Sequence, residues 1–216
     1  RHRLPILEDG FDGSLFFGPR PPAPLKALDA SGLVIYVGTF SKILFPGLRL
    51  GWIVAAPELI DRLELAKELS DIHTSPLIQA AVYHFCRQRL LERHQARVLR
   101  EYGRRRAALL QSLAKRMPPG VTWSDHEGGF SLLVTLPAGV DATALLERAA
   151  PRGVVFTPGN AFFVDGGGER TLRLSFSALP LNQIDEGIKR LGDAIRDAQR
   201  QPEPAGLGAV SAVPLV

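Results

Sequence analysis

Val37-Gly38-Thr39-Phe40-Ser41-Lys42-Ile43-Leu44-Phe45-Pro46-Gly47-Leu48-Arg49-Leu50-Gly51 is the stretch on which the reading of this chain turns. It follows an apolar run, Leu33-Val34-Ile35-Tyr36-Val37, with the β-branched and aromatic make-up of a strand. A single lysine stands among small and hydroxyl residues. An arginine follows seven positions on, between Gly-Leu and Leu-Gly. A lone lysine is usually a solvated surface charge. Here its neighbours are apolar and glycine-punctuated, not charged. Desolvation and nearby cations make a lysine amine available in its neutral, nucleophilic form.

Thr39-Phe40-Ser41-Lys42 followed by Pro46-Gly47-Leu48-Arg49-Leu50-Gly51 resembles the lysine segment of pyridoxal-phosphate (PLP) enzymes of fold type I, the aspartate-aminotransferase superfamily. The resemblance implies that Lys42 forms the internal Schiff base with PLP. It implies that Thr39, Ser41 and Arg49 hold the cofactor phosphate. The division is chemically reasonable: hydroxyls and a guanidinium give donors and charge to a phosphate dianion, and an amine condenses with an aldehyde.

Upstream, Leu4-Pro5-Ile6-Leu7 reads as a short buried strand running into Glu8-Asp9-Gly10-Phe11-Asp12-Gly13. Ligands of α/β sheets bind beyond the carboxyl ends of the strands, and Asp9 sits at such an end. The segment resembles the superfamily's ED-x-aromatic-D pattern. That implies Asp9, 33 residues before Lys42, as partner of the protonated pyridine nitrogen. Phe11 falls at a cofactor position where many relatives carry tyrosine; it can pack but cannot donate.

Downstream, Gly51–Ala56 reads as another buried strand, and Pro57-Glu58 opens a helix with an apolar side at Leu59, Ile60, Leu63, Leu65, Ala66 and Leu69. Ser75-Pro76 is a helix-start signature, and helical spacing continues to about Met117, with a bend expected near Arg87 to Arg93. Pro118-Pro119-Gly120 stops it. The remainder alternates strands (121–123, 129–136, 154–156, 171–176) with helices over 142–150 and about 183–199, the last capped by Asn182. Thr171-Leu172-Arg173-Leu174-Ser175-Phe176 resembles the family's LRLSFS, which implies that Arg173 binds the substrate carboxylate. The other reading is a surface arginine on an edge strand. Val155–Phe163 resembles a substrate-side loop, in which Phe162 and Phe163 either shape a pocket or pack in the core.

The resemblance therefore implies an α/β chain of PLP-dependent transferase fold type I: a partial large domain with a mixed sheet, and a small α+β C-terminal domain. The expected division is 1–74 for the large-domain half, 75–117 for a long connecting helix, 118–200 for the small domain and 201–216 for a disordered tail. The chain begins with Arg1 and reads as the interior of a longer protein. The upstream half would supply a glycine-containing phosphate loop, an aromatic stacked on the pyridine and an asparagine, so this stretch alone would not complete an active site.

Composition sets the outer bounds. With 216 residues and 45% hydrophobic residues the chain can build a substantial core. Cys86 is the only cysteine, which excludes a disulfide framework and agrees with the cytoplasm. No apolar run approaches the ~20 residues of a membrane span. The net charge of +4 is concentrated between Arg97 and Arg106, read as a solvated helix face without the aromatic interleaving of a nucleic-acid surface. Gly128-Gly129 and Gly166-Gly167-Gly168 lack the strand–loop–helix setting of nucleotide loops. The five histidines have no metal spacing.

Two functions follow from the resemblance. One is an aminotransferase acting on an amino acid and a 2-oxo acid, as a homodimer. The other is the effector domain of a MocR-type regulator, in which a winged helix upstream binds DNA and PLP with an amino compound acts as a signal. A relic of the fold without cofactor is disfavoured by the joint presence of Asp9, Lys42, Arg49 and Arg173.

Overall fold

A computed structural model describes residues 4–11 and 13–200. Asp12 of the acidic segment, and the tail expected over 201–216, lie outside the described residues. Two compact units divide them. The first runs to Arg104 and includes His126–Phe130; the second is Arg105–Asp125 with Ser131 onward.

The first unit is built on a three-stranded sheet of β1 (Ile6–Asp9), β2 (Val34–Thr39) and β3 (Gly51–Val54), in the order β1-β2-β3. β1 pairs parallel to β2, with Asp9 opposite Val37; β3 pairs antiparallel, with Gly51 opposite Thr39. The sheet is thus mixed. A short helix, α1 (Leu25–Leu28), leads into β2. Glu8 caps it, its carboxylate accepting from the backbone N–H of Leu25 at 2.7 Å and of Lys26 at 2.8 Å. β-strand alternation sends Glu8 to one face and Asp9 to the other, so the two acidic neighbours have different tasks.

The strands expected to be buried at both flanks are strands but are not buried. Leu7 is 70% exposed and all of β3 is exposed. Side chains of a strand point to the two faces of the sheet, and at β1 and β3 those faces are left open. Three helices follow, α2 (Pro57–Asp71), α3 (Pro76–Arg87) and α4 (Leu90–Arg116). Pro57 stands at the first turn of α2 as read, but no residue of that helix is buried. The helical stretch from Ser75 to Met117 is two helices. They part at Gln88-Arg89, where Arg89 adopts a left-handed φ of 55°. In the basic run, Arg97, Arg100 and Arg104 are exposed, whereas Arg105 donates to the Ser177 carbonyl and Arg106 pairs with Asp125.

The second unit has the larger core. Its antiparallel sheet has the order β4-β5-β7-β6, from β4 (Thr122–Trp123), β5 (Ser131–Thr135), β6 (Thr157–Pro158) and β7 (Thr171–Ser175). Leu132, Val134, Leu172 and Leu174 face inward with strict alternation. Against them stand Leu145 of α5 (Ala142–Ala149) and Ile184, Ile188, Leu191 and Ile195 of α6 (Leu181–Arg200), all nearly inaccessible. Val154–Phe156 lies outside any strand; the ladder is confined to Thr157 and Pro158. Asn182 is not the cap of α6. The helix begins a residue earlier, and the Pro180 carbonyl accepts from Gln183 at 3.0 Å. Asp185 of that helix accepts from Ser112 and Arg116 of α4.

Candidate active site

The residues singled out in the first unit gather at one end of its sheet. β1 and β2 run parallel, so Asp9 and Thr39 close their strands at the same, carboxyl end. Ser41 and Lys42 occupy the turn that follows β2. The chain returns to this end through a 3-10 turn, Pro46–Leu48, and Arg49 stands just ahead of Gly51, which pairs with Thr39.

The turn is organised by Thr39. Its hydroxyl oxygen accepts from the Ser41 backbone N–H at 3.0 Å and lies 2.9 Å from the Ser41 hydroxyl. Phe40 donates its N–H to the Leu50 carbonyl at 3.0 Å, which clamps the two arms of the loop. Ile43 and Leu48 are buried and anchor the lysine segment, whereas Phe45 between them is exposed. Lys42 and Arg49 are both exposed. The apolar sequence around Lys42 therefore does not bury the amine in this chain. Arg49 adopts φ 48°, ψ 40°, a left-handed conformation that costs a non-glycine residue about 1–2 kcal/mol. Such outliers cluster at functional sites.

Asp9 is exposed, and its Oδ1 accepts the Phe11 backbone N–H at 3.2 Å. One neighbour was missed in the sequence. Residues 15–17 pair with 127–129 through Phe17 N–H to the Glu127 carbonyl and Gly129 N–H to the Leu15 carbonyl, each 2.7 Å. This brings Phe130 to the lysine: Lys42 Nζ stands 5.5 Å from its ring centroid, inside the usual range of a cation–π contact. Phe11 meets the same ring edge-on at 6.4 Å. The only sequence signal was an aromatic after Gly128-Gly129, and nothing local ties position 130 to position 42.

Arg173 belongs to the second unit. It lies on an inner strand, not an edge, between Leu133 of β5 and Thr157 of β6. Thr171 and Ser175 share its face, as alternation requires. Arg173 Nη2 donates to Thr157 Oγ1 at 3.4 Å, and among the described residues no carboxylate pairs with it. Each unit has a cavity, and that of the first unit reaches the site residues Phe11 and Thr39. One of about 470 Å³ runs along α6, and one of about 340 Å³ is lined by Phe11, Tyr36, Phe40 and Trp52. Among the described residues no cluster of His, Cys, Asp and Glu could hold a metal, and no helix is long and apolar enough to cross a membrane.

A mixed sheet with a lysine turn at its carboxyl end, in a chain that also carries an α+β unit, is the architecture of fold type I PLP-dependent transferases. The solved structure of LysN, the α-aminoadipate aminotransferase of Thermus thermophilus complexed with N-(5'-phosphopyridoxyl)-L-leucine, superposes with a TM-score of 0.86. It is 37% identical, over 91% of this chain and 51% of that one. Residues 8–191 match the family of class I and II aminotransferases, and the chain belongs to that family. Its relatives include aromatic-amino-acid aminotransferase 1 of Thermococcus litoralis, 41% identical over 91% of this chain and 47% of that protein. They also include YisV of Bacillus subtilis, described as an HTH-type transcriptional regulator, 34% identical over 91% of this chain and 40% of that protein. The chain spans about half the length of the curated relatives it matches.

Proposed function

We propose that this chain is the lysine-bearing portion of a pyridoxal-phosphate-dependent aminotransferase acting on an amino acid and a 2-oxo acid. The observation that carries the reading is the convergence of Asp9, Thr39, Ser41, Lys42 and Arg49 at one sheet end. The donor set fits the cofactor. Two hydroxyls and a guanidinium suit a phosphate dianion, a carboxylate suits a pyridinium, and an amine suits an aldehyde. Thr39, Ser41 and Arg49 would hold the phosphate, Asp9 the ring nitrogen and Lys42 the reactive carbon, with Phe11 packing nearby.

When bound, pyridoxal phosphate supplies an aldehyde and an electron-withdrawing ring. With the cofactor held, Lys42 Nζ would be the base that takes the α-proton and returns it. Arg173 holds the substrate by its carboxylate, since a planar fork matches that group and an ammonium does not. The α-amino and carboxylate groups are what these residues can read, whichever side chain the substrate carries. Apolar Leu65, Leu69, Ile72 and Leu77, all exposed, support a homodimer in the complete protein. The lone Cys86, which gives the chain no internal disulfide, is compatible with the cytoplasm.

A second reading is favoured by Phe11 and by the regulator relatives. A ring without a hydroxyl packs against Phe130 and gives the cofactor no hydrogen bond, which suits a sensor that binds an amino compound without turning it over. The visible spectrum of the PLP-loaded complete protein, followed during addition of L-amino acids, separates the two. Conversion to the pyridoxamine form supports the aminotransferase. A shift without conversion supports the sensor. No response to any amino acid contradicts both.

A further inference from the structure

We infer that Phe162 is a positioning residue for Arg173, its ring forming the surface on which the substrate-binding guanidinium rests. This depends on the reading of Arg173 as the carboxylate receptor. Arg173 Cζ stands 4.9 Å from the centre of the Phe162 ring, within the ~6 Å range over which an aromatic face attracts a guanidinium. Thr157 Oγ1 takes one N–H of the fork at 3.4 Å. Ring and hydroxyl together restrict an exposed side chain that otherwise has many rotamers open to it. A cation–π contact uses the flat face of the guanidinium and leaves N–H groups in its plane for a carboxylate. Phe162 is itself 46% exposed, which core packing does not explain.

The loop that carries Phe162 is fixed to the strand that carries Arg173. Residues Gly159–Phe162 form a 3-10 turn. Gly159 lies so close to β7 that a Cβ there would fall 1.7 Å from Thr171 Oγ1. At the far end of the loop, the Phe163 ring covers Gly168, where an added Cβ would lie 2.4 Å from it and φ is +79°. Asn160 donates to Thr143 Oγ1 of α5 at 3.4 Å. Gly167 and Gly168 thus give backbone room to Phe163, and the neighbouring Phe162 is set over Arg173.

The test is the half-saturating amino-acid concentration, and the limiting rate, for the spectral response of the PLP-loaded complete protein. The probe is the most responsive member of a panel of the proteinogenic L-amino acids and L-2-aminoadipate. Phe162→Leu is expected to raise half-saturation about threefold to tenfold and leave the limiting rate within about twofold. Phe162→Tyr, which keeps the aromatic face, is expected to behave as the wild type. In an Arg173→Ala background, Phe162→Leu is expected to add nothing, because two residues acting through one contact are not additive. Should Phe162→Leu lower the melting temperature, Phe162→Met carries the same expectation. Wild-type half-saturation in Phe162→Leu, or full additivity in the double variant, overturns the inference while leaving Arg173 in place. Unchanged half-saturation in Arg173→Ala, or no spectral response from the wild type, overturns the carboxylate reading and this inference with it.

Discussion

Arg49 holds two opposed tendencies at a single residue. Its backbone sits in the left-handed region, which glycine enters freely and arginine does not. Its guanidinium is exposed at the sheet end where Thr39 and Ser41 present their hydroxyls. Substitution should separate the two. Arg49→Gly is expected to leave stability unchanged or raise it by up to about 1 kcal/mol, because relief of strain outweighs or balances the added chain entropy. The same change is expected to weaken PLP binding at least about tenfold through the lost charge-assisted contact. Chemical denaturation and a PLP titration read the two effects separately. Arg173→Lys tests the other arginine: loss of the fork should raise half-saturation by the amino acid roughly tenfold or more. Lys42, Asp9 and the two arginines stand out in the sequence as candidates because they lie in short contiguous motifs. Phe130 does not, since its approach to Lys42 depends on a pairing of residues 15–17 with 127–129.

Among the elements, α4 and α6 are joined by a polar cluster in the second unit. Asp185 accepts from Arg116 Nη2 at 2.8 Å and from the buried Ser112 hydroxyl at 3.0 Å. The hydrogen bond from Arg116, with that from Ser112, holds the Asp185 carboxyl below the ordinary aspartate range. A carboxyl depressed in the folded state adds stability above its unfolded value near 4, and that stability fades as the pH falls through the folded value. Denaturation midpoints of the wild type should therefore decline below about pH 4, and Asp185→Asn should flatten that decline while lowering stability at neutral pH. Asp29 in the first unit behaves in the same sense. The backbone N–H of Val34, with donors from Ser31 and Lys26, keeps its carboxyl well below the usual range. Element types were legible where the apolar period ran long, as in α6, and where alternation was strict, as in β7. Asn182 misled because a good capping residue fell just inside a helix whose first carbonyl acceptor is Pro180.

For the whole molecule, burial is unequal between the units. Among the described residues of the first, Leu15, Val34, Ile43, Leu48 and Val82 are its buried apolar side chains, while Leu4, Leu7, Leu28, Leu65 and Leu69 are well exposed. The second unit buries Leu113, Leu132, Val134, Leu145, Leu172, Phe176, Leu191 and Ile195 almost completely. Hydrogen exchange on this chain should find amides of β5, β7 and α6 the most protected and those of β1 and β3 the least, since local opening follows buried contact. Equal protection across both sheets would contradict this. Sequence could not show that the strands at 6–9 and 51–54 are exposed. Their apolar residues mark faces made to be covered, and covering them is a property of tertiary structure, not of local pattern. The account's central claim concerns Lys42, and borohydride reduction of the PLP-loaded complete protein followed by peptide mass mapping tests it most directly. The account predicts a pyridoxyl group on Lys42 and none in Lys42→Ala. A label on another lysine, or no label on the wild type, would contradict it.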